Sequence, residues 1–219
     1  MPPVSYPDLP HVPELPHHRL SELTVQQILD QAGGALHAAE HAVHQLEHGA
    51  PVVIQLALIR YVVIECRRST FLLQKLSSKI DRFDGWYATR RAALSADPLM
   101  AYFKRLRNQI EKQGLPGQMA ELVDIESGRT IADVACGEDR HGIWVAGAMR
   151  RDVPSEPGEV PDASEKMALR NFRLPDPPPA HRGQPITDFR FVALAGDAIA
   201  FLWQEVIRPA EKEFGSGVP

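Results

Sequence analysis

Apolar residues recur at helical spacing through the first half of the chain. Between Thr24 and His48 they follow a regular three-four alternation, which is typical of one buried helix face. Its members are Ile28, Ala32, Leu36, Ala39, Val43 and Leu46. Residues 52–80 contain no glycine or proline and are mostly apolar in their first half, which predicts a long, buried central helix. A shorter helix is predicted over residues 84–95.

A fourth helix is marked at both ends by stop and start signals. Asp97 is a good N-cap, Pro98 suits the first helical position, and Gly114 is a stop signal. Its apolar side consists of Leu99, Phe103, Leu106 and Ile110. The short connections between these helices predict antiparallel neighbours in a bundle.

After Gly117 the pattern changes to short β-type runs at residues 122–125, 130–134 and 143–146. We expect a three-stranded antiparallel sheet, with Ser127 and Gly128 as a two-residue hairpin turn. Residues 152–185 contain eight prolines, which predicts an extended strap across the surface. A ligand for a polyproline-recognition domain is the alternative interpretation of this segment.

The last apolar stripe begins after Thr187, the expected cap, and Pro209 should bend or end that helix. Its members are Val192, Ala195, Ile199, Leu202 and Val206. The predicted fold class is α+β: mainly a helical bundle, with a small antiparallel sheet and a proline-rich strap inserted before the last helix.

The predicted organisation follows from these changes of pattern. It comprises an extended N-terminal arm over 1–22, a helical bundle over 23–117, a small antiparallel sheet over 118–150, a proline-rich strap over 151–186 and a C-terminal helix over 187–215 that packs on the bundle.

The composition is typical of a soluble protein of 219 residues, with 44% hydrophobic and 24% charged residues. The chain starts without a signal-peptide pattern, and its longest apolar run is interrupted by Gln55 and Arg60. Two cysteines form neither a disulfide framework nor a zinc motif, and Cys66 should be an inert buried thiol. We therefore expect a cytoplasmic protein that does not contact a membrane.

The net charge of −4 conceals a basic middle. Residues 52–113 hold 12 Lys and Arg against 5 Asp and Glu, whereas both flanking regions are acidic. A basic segment attracts phosphates and acidic partners, but it can also pair with acidic flanks inside one fold. Both interpretations remain open at this level.

The fourth helix carries the polar group Arg107, Asn108 and Lys112. It resembles the motif of the HEPN superfamily, in which an arginine, often followed by asparagine, is separated from a histidine by four to six intervening residues. The resemblance implies a helical homodimer that brings two motifs together for metal-independent RNA cleavage. In this chain Lys112 stands where the histidine is expected, and lysine does not shuttle protons near neutral pH.

Other polar residues are candidates for the surroundings of this motif. Glu65 and Arg68 on the central helix could face it, and Lys104 and Arg105 precede it. Aromatic and basic residues also alternate over residues 82–91, where Arg90 and Arg91 could grip single-stranded RNA. The alternative interpretations are that Arg107 and Asn108 tie helices together through buried hydrogen bonds, and that the aromatic segment closes one end of the bundle.

Four histidines lie on one face of the first predicted helix: His37, His41, His44 and His48. Histidines at i and i+4 can chelate a metal ion, or they can form a polar border that becomes cationic below about pH 6.5. Because one helix cannot surround an ion, we expect no metal and no other cofactor. Phosphate-binding glycine loops, CxxC pairs and nucleophile elbows are absent from the sequence.

The leading hypothesis is a non-catalytic or degenerate HEPN-like protein that acts by binding RNA or a protein partner. One alternative is a metal-independent ribonuclease of a toxin or defence type. Another is a metal- or pH-responsive helical protein that uses the four histidines.

Overall fold

The computed structural model describes residues 23–48, 52–124, 127–139, 142–149 and 167–215. Helix α1 spans Val25–Glu47. It begins with a capping box, in which the Gln27 N–H donates to Thr24 Oγ1 at 3.2 Å and the Thr24 N–H donates to Gln27 Oε1 at 2.9 Å. The predicted arm over 1–22 lies outside the described residues.

Three further helices complete the N-terminal bundle, and α1 packs along α2. Helix α2 spans Val52–Leu73 and tightens into a 3₁₀ turn over Gln74–Ser78. Helix α3 spans Phe83–Ala96, and α4 spans Pro98–Gln113. The predicted ends of α4 are confirmed, because Asp97 caps it with a 3.1 Å bond from the Met100 N–H and Gly114 closes it with φ 87°.

Four described strands form an antiparallel sheet in the order β3-β2-β1-β4. They are β1 (Gln118–Asp124), β2 (Thr130–Asp139), β3 (Gly142–Met149) and β4 (Met167–Arg173). The α+β class is confirmed, but the sheet has one strand more than predicted. Strand β4 lies inside the stretch predicted as a strap.

An irregularity in β4 explains why its pattern was missed. The register with β1 shifts between Met119 and Glu121, so that one residue of β1, Ala120, opposes two of β4, Asn171 and Phe172. Asn171 has a φ of 54°, as expected for the extra residue of a bulge. Leu169 and Phe172 are therefore both buried although they are three positions apart, which hides the period of two.

The turn between β1 and β2 also differs from the prediction. The Asp124 N–H donates to the Arg129 carbonyl at 3.0 Å, so four residues rather than two separate the closing pair. Gly128 has a φ of 68°, which glycine adopts without steric cost, and its N–H donates to the Asp124 carbonyl at 2.9 Å.

After β4, the described part of the strap is fastened to the bundle. A small hairpin, β5 (Ala180–His181) and β6 (Gln184–Pro185), lies beside the start of α4. Asp97 accepts hydrogen bonds from His181 Nδ1 at 3.0 Å and from the Arg182 N–H at 2.8 Å. The Tyr102 hydroxyl donates to the Pro175 carbonyl at 2.9 Å. Residues 150–166 lie outside the described part of the chain.

The C-terminal helix begins with α5, Phe191–Leu202, and continues to Gly215. Its N-cap is Arg190 rather than Thr187, and the Asp188 carboxylate accepts the Arg190 N–H at 3.0 Å. Pro209 does not end the helix. The backbone widens around it, and the Arg208 N–H donates five residues back to the Trp203 carbonyl. Such a wide turn accommodates a residue that lacks an N–H.

The C-terminal helix packs against α1 and α2, and one apolar core extends from the bundle to the inner face of the sheet. Gly33 lies at the contact between α1 and this helix, where an added Cβ would lie 3.4 Å from Trp203 Cη2, in van der Waals contact with the ring. Among the described helices, none combines the length and hydropathy needed to cross a membrane.

A candidate anion-binding groove

A groove of about 590 Å³ opens between α2, α3 and α4. Its volume is in the range of small-molecule and cofactor sites. Apolar side chains form its floor because the helices turn their core stripes toward each other here. They are Val63, Cys66, Leu94, Met100, Phe103 and Leu202.

Among the residues that the structure describes, four cationic side chains line the groove and no aspartate or glutamate does. Arg67 comes from α2, Arg91 from α3, and Lys104 with Arg105 from α4. Within the described part of the chain, none of the four forms an ion pair with a carboxylate. The Arg67 guanidinium donates to Thr70 Oγ1 at 3.0 Å. Uncompensated positive charge around a concave, partly apolar surface favours an anionic ligand.

Neutral polar groups complete the lining: Thr70, Gln74, Tyr87, Ser95 and Asn108. The Gln74 amide donates to the Thr70 carbonyl at 3.1 Å and lies 3.5 Å from the Tyr87 hydroxyl. Burial raises the pKa of Tyr87 above its usual value, so the phenol is neutral at pH 7 and can donate a hydrogen bond.

The thiol in the floor is not a nucleophile. Burial, together with the nearby charge of Glu65, raises the pKa of Cys66 to about 12. The thiolate is the reactive form, so Cys66 is inert at neutral pH. This confirms the inert buried thiol predicted from the sequence.

The structure does not bring Arg107, Asn108 and Lys112 together as one site. Arg107 Nη1 donates to Asn108 Oδ1 at 2.8 Å and to Glu111 Oε2 at 2.7 Å. Only Asn108 of the three lines the groove, and Lys112 is an exposed residue of the last turn of α4. In the described residues, the bonds of Arg107 stay within its own helix, so it does not tie neighbouring helices together either.

The other predicted residues divide between the groove and its surroundings. Arg91, Lys104 and Arg105 line the groove. Glu65 is buried on α2 and pairs with Arg68 on the same helix at 3.3 Å; neither residue lines the groove. Arg90 lies 4.0 Å from the ring of Trp86.

The segment around Trp86 closes one end of the bundle. Trp86 meets Phe214 edge-on, with ring centroids 5.1 Å apart, and Arg82 pairs with Glu213 at 3.1 Å. These contacts join α3 to the end of the C-terminal helix. The structural interpretation of the aromatic and basic alternation therefore accounts for Trp86 and Arg82.

Sequence reasoning missed Arg67 and, apart from Asn108, the neutral lining residues. A signal was present, because Val63, Cys66, Arg67, Thr70 and Gln74 follow helical spacing along α2. What the sequence alone could not provide was the position of α3 and α4 on either side of that face.

The four histidines of α1 make local contacts. His37 Nδ1 lies 2.9 Å from Glu40 Oε2, and its ring is 4.8 Å from that of Trp203. His44 and His48 stack at 3.9 Å. No cluster of three or more potential metal ligands occurs among the described residues.

Comparison with known proteins gives one family match. Residues 24–121 match the model of a family described as bacteriophage lambda protein ea47. No curated protein and no solved structure matches the chain. The matched region covers helices α1 to α4 and the first part of β1, and it contains every described residue that lines the groove except Leu202.

This match overturns the resemblance to the HEPN superfamily. The similar family is a different one, and the short motif around Arg107 is not supported by the contacts that Arg107 makes. A short, degenerate motif on an amphipathic helix arises readily by chance, because such helices always carry basic and amide residues on their polar face. The homodimer was expected only because of that resemblance, so the expectation no longer has support from the sequence.

Proposed function

We propose that the protein acts by binding single-stranded RNA in the groove between α2, α3 and α4, without cleaving it. The observation that carries this proposal is the lining of the groove. Arg67, Arg91, Lys104 and Arg105 surround an apolar floor, and no carboxylate from the described part of the chain lines the same surface. Phosphates supply the missing negative charge, and an unpaired base fits the apolar floor.

The shape of the groove supports a single strand over a duplex. Bases in a duplex are stacked and cannot enter a concave pocket, whereas an unpaired base can be turned into one. The side-chain amides of Gln74 and Asn108 both line this pocket and can hydrogen-bond to base edges. A recognised nucleotide would therefore lie with its base inward and its phosphate near the arginines.

The chemistry of the lining supports binding over catalysis. Arginine and lysine are charged at neutral pH, and the pKa values of Tyr87 and Cys66 are raised by burial. The Tyr87 phenol and the Cys66 thiol therefore do not exchange a proton easily near pH 7. The groove residues can therefore hold an anionic strand, but they offer no general base.

Fluorescence anisotropy with a labelled 12-nucleotide oligouridine tests the proposal. Arg91→Ala and Lys104→Ala should each weaken binding several-fold, and their combination should weaken it further, since each removes a cation without altering the core. For each lost phosphate contact, the slope of log affinity against log salt concentration should become shallower by about 0.7.

Two arginines outside the groove provide matched controls. Arg129→Ala, in the β1–β2 turn, removes an equal charge at a site that does not line the groove. Arg190→Ala removes an arginine that is already compensated by Asp188 and does not line the groove. Both should bind oligouridine as the wild type does. Equal losses in the controls and the groove variants, or no binding at low salt, would refute the proposal.

The same RNA also tests the absence of cleavage. Labelled oligouridine should stay intact for hours with the wild-type protein in EDTA. Cleavage that disappears in Arg107→Ala would support the ribonuclease hypothesis instead and would show that binding is only part of the activity.

A further inference from the structure

Large apolar side chains are exposed along the outer face of α2. Ile54, Tyr61 and Phe71 are 49%, 42% and 48% exposed. Together with the residues between them, these side chains repeat at alternating spacings of three and four, so they form one stripe along the helix. The stripe consists of Ile54, Ala57, Tyr61, Ile64, Arg68 and Phe71.

The stripe is bordered by positive charge. Arg67 and Arg68 lie on α2, and Lys75 follows in the adjoining turn with Nζ 4.9 Å from the centroid of the Phe71 ring. The single acidic residue of α2, Glu65, is buried and pairs with Arg68. The exposed face therefore presents aromatic rings among cations.

This face is continuous with the groove. Arg67 lines the groove and neighbours Arg68 of the stripe, and one residue step turns a helix by about 100°. Tyr61 and Phe71 are ten residues apart, which places them about 15 Å apart along the helix axis at 1.5 Å per residue. A strand held in the groove could pass around α2 at Arg67 and reach both rings.

We propose that the outer face of α2 is a stacking track for the same single strand, with bases on Tyr61 and Phe71 and phosphates near the flanking arginines and Lys75. Aromatic rings among cations are the usual means of holding single-stranded nucleic acid without strong sequence preference. This inference rests on the proposed function and extends its site from one pocket to a longer path.

A second copy of the chain fits the face less well. Pairing two α2 stripes would bring the cationic flanks of the two helices, at Arg67 and Arg68, toward each other. The single carboxylate of α2 is buried and already paired with Arg68, so α2 itself offers no further carboxylate to the cations of the partner. A polyphosphate strand supplies that charge along its whole length.

RNAs of two lengths distinguish binding along the track from binding in the groove alone. For a 12-nucleotide oligouridine, the double variant Tyr61→Ala/Phe71→Ala should weaken binding at least about ten-fold, since stacking on each ring contributes to affinity. A trinucleotide that fills only the groove should bind this variant as it binds the wild type. The salt dependence should not change, because no charge is removed.

Ile54→Ala is the matched control, since it shortens a side chain of equal exposure on the same helix but removes no ring. It should leave the affinity for the 12-mer unchanged, and Tyr61→Phe should retain it. If groove variants weaken binding while Tyr61→Ala/Phe71→Ala does not, the track is refuted and the proposed function stands. If groove variants have no effect, the proposed function itself fails.

Light scattering tests whether a second copy of the chain, rather than RNA, covers the outer face of α2. A wild-type dimer that Tyr61→Ala/Phe71→Ala converts to monomers would show that the stripe is a self-interface, and it would overturn the track. A wild-type monomer with length-dependent binding supports the track. Polyglutamate that binds as tightly as oligouridine would also overturn it, because a peptide has no bases to stack.

Discussion

At the scale of single residues, Asp97 joins two parts of the chain that are distant in sequence. It caps α4 and also accepts hydrogen bonds from His181 and from the backbone of Arg182, 84 and 85 positions later. Burial alone would raise the pKa of this carboxyl. The bonds from the Arg182 N–H, His181 and the Met100 N–H outweigh burial and lower the pKa below its usual value.

Asp97→Ala should lower the free energy of unfolding by about 2–4 kcal/mol at pH 7, because it removes a helix cap and leaves buried donors without an acceptor. The folded-state pKa is depressed, so the charged carboxylate stabilises the fold above its unfolded pKa of about 4. This stabilisation is lost as the pH falls through the folded pKa.

Urea denaturation across pH 7 to pH 3 checks this expectation. The difference in the free energy of unfolding between wild type and Asp97→Ala should become smaller toward pH 3. His181→Ala, which removes one of the three donors, should cost less than Asp97→Ala at pH 7. A gap that stays constant over the whole range would contradict an electrostatic origin.

At the scale of elements, two neighbouring glycines of α1 have different surroundings. Gly33 faces the ring of Trp203, whose Nε1–H donates to Glu40 Oε1 at 2.8 Å. A Cβ at Gly34 would meet nothing within 4 Å. A side chain at Gly33 would therefore contact Trp203, whereas a side chain at Gly34 would have open space around it.

Gly33→Leu should destabilise the protein by about 1–3 kcal/mol, since a long side chain would displace Trp203 and overpack the contact. Gly34→Leu is the matched control and should stabilise α1 by up to about 1 kcal/mol, because leucine favours the helix more than glycine does. Thermal unfolding with tryptophan fluorescence measures both changes. Equal effects at the two positions would show that the contact between α1 and the C-terminal helix does not restrict the size of the side chain at position 33.

At the scale of the whole molecule, the C-terminal helix completes the core of the N-terminal bundle. Phe191, Leu194, Leu202 and Ile207 are fully buried against it or nearly so, and Arg182 in the strap pairs with Glu205 at 3.1 Å. The sheet and the strap are thus inserted between two parts of one packed unit.

A chain that ends at Gly183 should therefore expose this core and aggregate. The physical reason is that the apolar faces of α1 and α2 would lose the partner that buries them. Size-exclusion chromatography with a thermal melt provides the measurement. A truncated protein that remains monomeric with an unchanged melting temperature would refute the prediction.

Local sequence determined most of the elements. The caps of α1 and α4 and the long α2 depend on side chains that act within one or two turns, so their signals are visible in the chain itself. Strand β4 and the course of the helix past Pro209 were missed. A bulge hides the period of two, and a wide turn around a proline depends on packing rather than propensity.

Tertiary structure alone decided which polar residues form the groove. The sequence marked a basic middle and named Arg91, Lys104, Arg105 and Asn108, but it placed equal weight on Arg107, which pairs with Glu111 on its own helix. The arginines of α2 behave likewise, since Arg67 lines the groove and Arg68 pairs with Glu65. Helical spacing fixes the face on which a charge lies, whereas the charges and surfaces opposite that face depend on how the helices pack together.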